Sequence, residues 1–239
     1  MRNVALITGA GRRIGKSLAQ FLAERGWDIA IHVNRLRQEG NEAVAGFREQ
    51  FPLQKFESFQ TDLSFIEQAE TLIHKVNGKM GKVSLLINCA SVFLPGTISG
   101  TSTGLFDLNF NVNLRAPFIL TREFAQQTET GLIVNMADTR ITKNFSEHAA
   151  YTLSKKALWE LTKMAALEFA PRIRVNAIAP GIAIPPKGKN ENYLNKLAIN
   201  TPMRKVAGIK PILSGLSYIL ENDSLTGQLF FCDSGEQLL

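Results

Sequence analysis

The chain has 239 residues, 45% of them hydrophobic, which is enough to bury one substantial core and fits a single domain over 1–239 better than two. Its formal charge of +6 comes from Lys and Arg spread along the sequence without a dense basic block, which points to small anionic ligands such as phosphates and away from nucleic acid. Cys89 and Cys232 are too few and too separated for a disulfide framework or zinc site, His74 and His148 lack metal-ligand spacing, and residues 1–11 are neither signal peptide nor membrane span; a reducing, cytoplasmic setting without metal or membrane is expected.

Residues 4–7 form an apolar run that meets Thr8-Gly9-Ala10-Gly11, and Ile14, Leu18, Phe21 and Leu22 then recur at helical spacing, giving strand, glycine turn and helix in order. A second strand over 29–33 ends at Asn34-Arg35, a helix is expected over 42–51, and a third strand over 56–60 leads into Thr61-Asp62. Helix 66–76, strand 85–88, helix 106–126, strand 132–136, helix 151–169 and strand 174–178 continue the alternation. Such alternation predicts an α/β fold, one doubly wound Rossmann-like domain whose parallel sheet is flanked by helices on both faces. Residues 181–204 break the pattern, with Pro185-Pro186 reading as loop and a short helical piece at 193–197. This stretch follows a strand, where ligands bind in open α/β sheets, so it is read as a substrate lid; a surface insertion without function is the plainer alternative.

The turn Gly9-Ala10-Gly11-Arg12-Arg13-Ile14-Gly15 has the context of a dinucleotide-binding loop. Glycines let the backbone approach a pyrophosphate, and the helix N-terminus offers free N–H groups and a favourable dipole. Its glycine spacing is one residue longer than the common dinucleotide pattern, and glycine clusters also arise for steric reasons alone. No acidic residue stands at the end of the second strand, which reads His32-Val33-Asn34-Arg35. With Arg12, Arg13, His32, Asn34 and Arg35 converging there, a 2′-phosphate is favoured over a free ribose hydroxyl, and so NADPH over NADH. Asp62 is placed to accept from an adenine amino group while the Leu63 N–H donates; a helix N-cap is the alternative.

Tyr151 and Lys155 stand one helical turn apart, so their side chains share a face. Tyrosine ordinarily titrates near about 10, and a neighbouring ammonium would bring it toward working pH as a general acid. Lys155 is that cation. Cys89 reads as a small buried hydrophobe, and Trp159 and Phe169 as packing residues.

Thr8-Gly9 with Gly11 and Gly15, Asn88-Cys89-Ala90, Asn113, Tyr151 with Lys155, and Pro180-Gly181 occur in the order of the short-chain dehydrogenase/reductase family, which the chain resembles over essentially its whole length. The family's usual Asn-Asn-Ala-Gly is Asn88-Cys89-Ala90-Ser91 here, and its usual Asp-Gly-Gly ending is Asp233-Ser234-Gly235. The resemblance implies that Asn88, Ala90, Ser91, Pro180 and Gly181 line the cofactor, that Lys155 also holds ribose hydroxyls, and that subunits form a homotetramer. It makes Asn113 the holder of a relay water, against the alternative of a kinking or capping amide.

Thirteen residues before Tyr151, where family members acting on alcohols and ketones carry serine, this sequence has Asp138. In this, and in Gly11-Arg12-Arg13-Ile14-Gly15 and Ala90-Ser91-Val92-Phe93, it is similar to the pteridine reductase branch. An aspartate suits a pterin, because it can orient a polar heterocycle and, when protonated, assist Tyr151 in delivering a proton to a ring nitrogen. Phe93 then offers a surface on which the flat pterin stacks, Ser91 and Gly181 contact substrate, and the partner is a pterin or folate of the dihydro class. Two other readings stay open: a carbonyl reductase of the 3-oxoacyl-thioester type, and a non-catalytic dinucleotide-binding relative.

Overall fold

The structure, a computed structural model, describes residues 3–34, 37–186 and 188–239. Seven strands form one parallel sheet: β1 (Val4–Ile7), β2 (Asp28–Val33), β3 (Phe56–Gln60), β4 (Val83–Asn88), β5 (Gly131–Met136), β6 (Ile173–Pro180) and β7 (Leu229–Cys232), in the order β3-β2-β1-β4-β5-β6-β7. Sequence order reverses direction between β1 and β4, which opens a crevice at the carboxyl ends of these strands. The helices are α1 (Arg13–Ala23), α2 (Arg37–Gln50), α3 (Ile66–Met80), α4 (Thr103–Phe110), α5 (Ala116–Gln127), α6 (Ala149–Phe169), α7 (Glu191–Ala198) and α8 (Lys210–Glu221).

Every residue of β1 and of β2 is buried, as expected of strands covered on both faces. Alternate side chains then feed two cores. Ala5 and Ile7 meet Leu18, Leu22, Phe47 and Leu216 of α1, α2 and α8, while Val4 and Leu6 meet Leu72, Ile73, Leu120 and Phe124 of α3 and α5. The α/β reading of the sequence therefore holds, strand by strand, from residue 4 to residue 180.

Two parts differ from expectation. The helix read as continuous over 106–126 is broken into α4, a π-helical turn at Asn111–Arg115, and α5. Pro117 explains the break: it has no N–H to give the Asn113 carbonyl four residues back, so the backbone widens there. The chain also returns to the sheet after residues 181–204, through α8 and β7, an ending the sequence reading left unassigned. β7 pairs with β6 and brings Asp233 to the carboxyl edge of the sheet.

Candidate active site

The glycine turn leaves β1 at the crevice. Gly9 adopts a positive φ of 71°, and a side chain on Gly15 would put its Cβ 2.3 Å from the Gly9 carbonyl oxygen, so α1 starts tight against the turn. Arg12 precedes α1 in extended conformation and gives no side-chain cap, leaving the first-turn N–H groups facing the crevice. The Thr8 hydroxyl accepts from both the Cys89 and Ala90 N–H groups at 2.9 Å, fastening the turn to the end of β4. Asn88 donates to Asn135 at 2.8 Å, while its own Oδ1 is buried with no partner among the described residues. A glycine cradle, an uncapped helix start and an orphaned acceptor together fit a dinucleotide.

Around this cradle the predicted residues divide. His32 does not face a cofactor: it is 1% exposed, accepts from the Gly9 N–H at its Nδ1 (3.1 Å), and bonds the Thr61 carbonyl through Nε2 (2.8 Å). Burial pulls its pKa down to about 4, so it is a neutral brace behind the turn. Arg12 stays exposed, 3.7 Å from Glu39, whereas Arg13 donates to the Pro185 and Ile184 carbonyls at 2.7 and 3.2 Å. Arg13 is thereby a tie to the segment after β6, a role missed in the sequence. Asn34 is exposed at the end of β2, and Arg35 lies outside the described residues. Asp62 is neither free nor a helix cap; its Oδ1 accepts from the Ser64 N–H and hydroxyl, closing a turn before α3 begins at Ile66. Leu63 packs into the core beneath, and Ile14 is partly buried against the opposite one.

Asp138 and Tyr151 meet at the carboxyl end of β5. Asp138 leads a short 3-10 turn, Thr139–Thr142, and its Oδ1 accepts from the Arg140 N–H at 2.8 Å. That fixes the carboxylate so that Oδ2 accepts from the Tyr151 hydroxyl at 2.6 Å, reaching from the first turn of α6. Tyr151 and Lys155 are 5% and 2% exposed. Burial, the charge of Asp138 and the hydrogen bond to it push the Tyr151 phenol well above its ordinary pKa, with Arg140 and the Ser91 hydroxyl acting the other way. Lys155 is not what sets the phenol here. Its Nζ donates to the Met136 carbonyl at 2.6 Å, stands 5.8 Å from the Tyr151 ring centroid, and has its own pKa pulled down by burial. The shift therefore runs opposite to the expectation of a phenol lowered by Lys155: burial first, then the charge of Asp138 and the hydrogen bond to it, raise it.

Asn113 lies in the π-helical turn and is fully buried. Its Oδ1 accepts from the Val92 N–H (2.8 Å) and the Ser91 hydroxyl (3.1 Å), and its amide donates to the Val92 carbonyl (3.0 Å) and Ser154 (3.1 Å). The side chain thus clamps the loop after β4 onto α6, and positions Ser91 beside Tyr151.

Phe93 stands at the mouth, 51% exposed, with its ring edge-on to Tyr151 at 4.6 Å. Its face is stacked on His148, 4.2 Å away and 4° from parallel, and the Arg140 guanidinium lies 5.6 Å from its centroid. His148, read in the sequence as bland, is a wall of the site. Burial and the Arg140 charge lower its pKa, which favours the neutral ring. Bonds between Gly96 and Glu147 (2.8 Å) and between Ala149 and Gly96 (2.9 Å) hold the Phe93 loop along the start of α6. Only its proximity to Tyr151 in sequence hinted at His148.

The far wall comes from the ends of β6 and β7. Gly181 has no room for a side chain, because Cβ would lie 2.7 Å from Asp233 and 2.9 Å from Glu236 Oε2. Pro180 closes β6 just before it. Cys89 and Cys232 are both free thiols pushed up to about 11 by burial, which leaves them unreactive packing groups. Among the described residues no group of three or more His, Cys, Asp or Glu is placed to hold a metal ion, and no helix is long and apolar enough to cross a membrane.

A family model described as short chain dehydrogenase matches residues 3–192. The chain is 31% identical to carbonyl reductase [NADPH] 2 of Sus scrofa (97% of this chain, 95% of that one) and 29% identical to dihydromonapterin reductase of Enterobacter sp. (strain 638) (98% and 96%). Among solved structures, FolM alternative dihydrofolate reductase 1 from Brucella canis, complexed with NADP, matches with a TM-score of 0.91 at 33% identity, covering 99% of this chain and 95% of that one.

Proposed function

The chain belongs to the short chain dehydrogenase family, and from that premise we propose that it is an NADPH-dependent reductase of pteridines, of the dihydropterin and dihydrofolate class. The observation that carries this reading is the 2.6 Å hydrogen bond from Tyr151 to Asp138, a carboxylate where ketone reductases use a hydroxyl. The dihydrofolate reductase and dihydromonapterin reductase relatives, and the NADP of the former, support it. The glycine cradle and α1 would hold the pyrophosphate, Arg12 would reach a 2′-phosphate, and Lys155 would hold the nicotinamide ribose. When bound, NADPH supplies the hydride. Tyr151, kept protonated beside Asp138, gives its proton to the substrate nitrogen where charge develops, and Asp138 orients the phenol and the heterocycle. Phe93, braced by His148, offers the aromatic surface at the mouth. We read the assembly as a homotetramer.

Steady-state assays with NADPH test this. Dihydropterin or dihydrofolate should be reduced, and Asp138→Ser should lower kcat/KM on the pterin by about a hundredfold, the worth of a general acid–base partner, while affecting a ketone substrate far less. The carbonyl reductase relative supports a second reading, in which Asp138 merely replaces serine. Robust turnover of an acyl ketone with no turnover of any pterin would establish that reading instead.

A further inference from the structure

The C-terminal turn, Glu236–Leu238, is built into the site. Lys143, at the end of the 3-10 turn that Asp138 opens, donates to the Glu236 and Leu239 carbonyls at 2.6 and 3.0 Å, and the Thr142 hydroxyl donates to the Gln237 carbonyl at 3.0 Å. From the other side, Met203 of the lid donates to the Ser234 carbonyl at 3.1 Å. Within the turn Asp233 is fully committed: its two oxygens accept from the Gly235 and Gln237 N–H groups at 2.9 and 2.8 Å.

Glu236 is not committed. Among the described residues its Oε2 is buried and has no hydrogen-bond partner, and the neighbouring Gln237 Oε1 shares that condition. Buried acceptors are almost always satisfied by something, and an exception calls for a ligand or a strain that function uses. Oε2 lies 2.9 Å from where a Gly181 side chain would begin, so it stands at the carboxyl end of β6, the strand next to the one that delivers Asp138. Burial and then the charge of Asp138 raise the Glu236 pKa, with Lys143 and Arg140 acting the other way.

Resting on the pteridine reading, we infer that Glu236 is a specificity-determining residue whose carboxylate accepts the N–H donors on the 2-amino-4-oxopyrimidine edge of the substrate. That edge carries an exocyclic amine beside a ring N–H, two donors spaced to meet two carboxylate oxygens. With Tyr151 and Asp138 at the reducible ring and Glu236 at the pyrimidine edge, the heterocycle is oriented from both ends. Gly181 leaves room for the Glu236 side chain to reach it.

The test compares a dihydropterin with its 2-oxo analogue, a dihydrolumazine, in which a donor amine becomes an acceptor oxygen that a carboxylate repels. The wild-type enzyme should favour the 2-amino substrate in kcat/KM by about tenfold or more, the worth of one charge-assisted hydrogen bond. Glu236→Gln, whose amide N–H2 can face the oxygen, should collapse that ratio toward one. General damage to the fold lowers both activities and leaves the ratio standing, so an unchanged ratio overturns the inference while the pteridine function survives. Failure of the wild-type enzyme to reduce either compound overturns both.

Discussion

At the scale of single residues, the buried groups carry the most information, because burial makes both a partner and the lack of one consequential. His32 shows this best. It was legible as a site residue from its place at the end of β2, but a sequence does not show which way a side chain turns, and this one turns inward to hold Gly9 and Thr61. Its pH signature follows. The unfolded chain takes the proton near 6.5, while the folded chain resists until about 4. Stability from the neutral ring is therefore complete above pH 6.5, falls as pH drops through the interval to 4, and is gone below it, for a total on the order of 3 kcal/mol. Urea unfolding at pH 7.5 and 4.5 should register this loss, and His32→Asn, which has nothing to protonate, should flatten that part of the profile. An equal pH slope in both proteins would show that other groups govern acid sensitivity. Tyr151, Lys155 and Asp138 were legible because spacing on a helix and the end of a strand place them; the direction of the Tyr151 shift was not, since it depends on how deeply the phenol is buried and on the carboxylate it bonds.

At the scale of elements, the sequence reads well wherever apolar periodicity is strong, and less well where a single residue redirects the backbone. β1, α1, β3 and the start of α3 stand where the pattern puts them. Pro117 breaks the long helix, and the consequence is functional, because the widened turn presents Asn113 to Ser91 and Val92. The final α8 and β7 were illegible for another reason: their apolar residues follow the irregular lid, and only pairing with β6 makes a short stretch such as Leu229–Cys232 a strand. The segment 181–204 is tied down near its start. Arg13 bonds the carbonyls of Ile184 and Pro185, and Gly208 donates to Ile182 at 3.1 Å. Removing the first tie with Arg13→Ala should loosen the segment without unfolding the domain, since the guanidinium is exposed. Hydrogen exchange of residues 182–190 should accelerate by about tenfold, as expected when roughly 1.4 kcal/mol of local stability is lost, and the KM for NADPH should rise. Unaltered exchange in that segment would mean that other contacts, such as the Gly208–Ile182 bond, hold it without the Arg13 tie.

At the scale of the whole molecule, the two faces of the sheet are not equally finished. The side chains of Leu153, Met164 and Leu167 form a stripe along α6, with Phe118 on neighbouring α5, and all four are exposed, Leu167 at 85% and Met164 at 68%. Scattered exposed apolar residues are ordinary; a stripe at helical spacing, three turns from 153 to 164 and one more to 167, is how a helix prepares an interface. α6 also carries Tyr151 and Lys155 on its opposite, buried side, so whatever covers the stripe also stiffens the helix that holds the proton-handling pair. Assembly into a tetramer would cover it with copies of the same surface, and such isologous contacts are sensitive to charge because each substitution appears twice at the interface. The double variant Met164→Glu, Leu167→Glu should therefore run as a smaller species than wild type in light scattering coupled to gel filtration, with its circular dichroism retained. Turnover should fall with it as α6 loses its support. A wild-type protein that is itself monomeric at micromolar concentration would remove the tetramer from the reading while leaving the chemistry of Tyr151 and Asp138 intact.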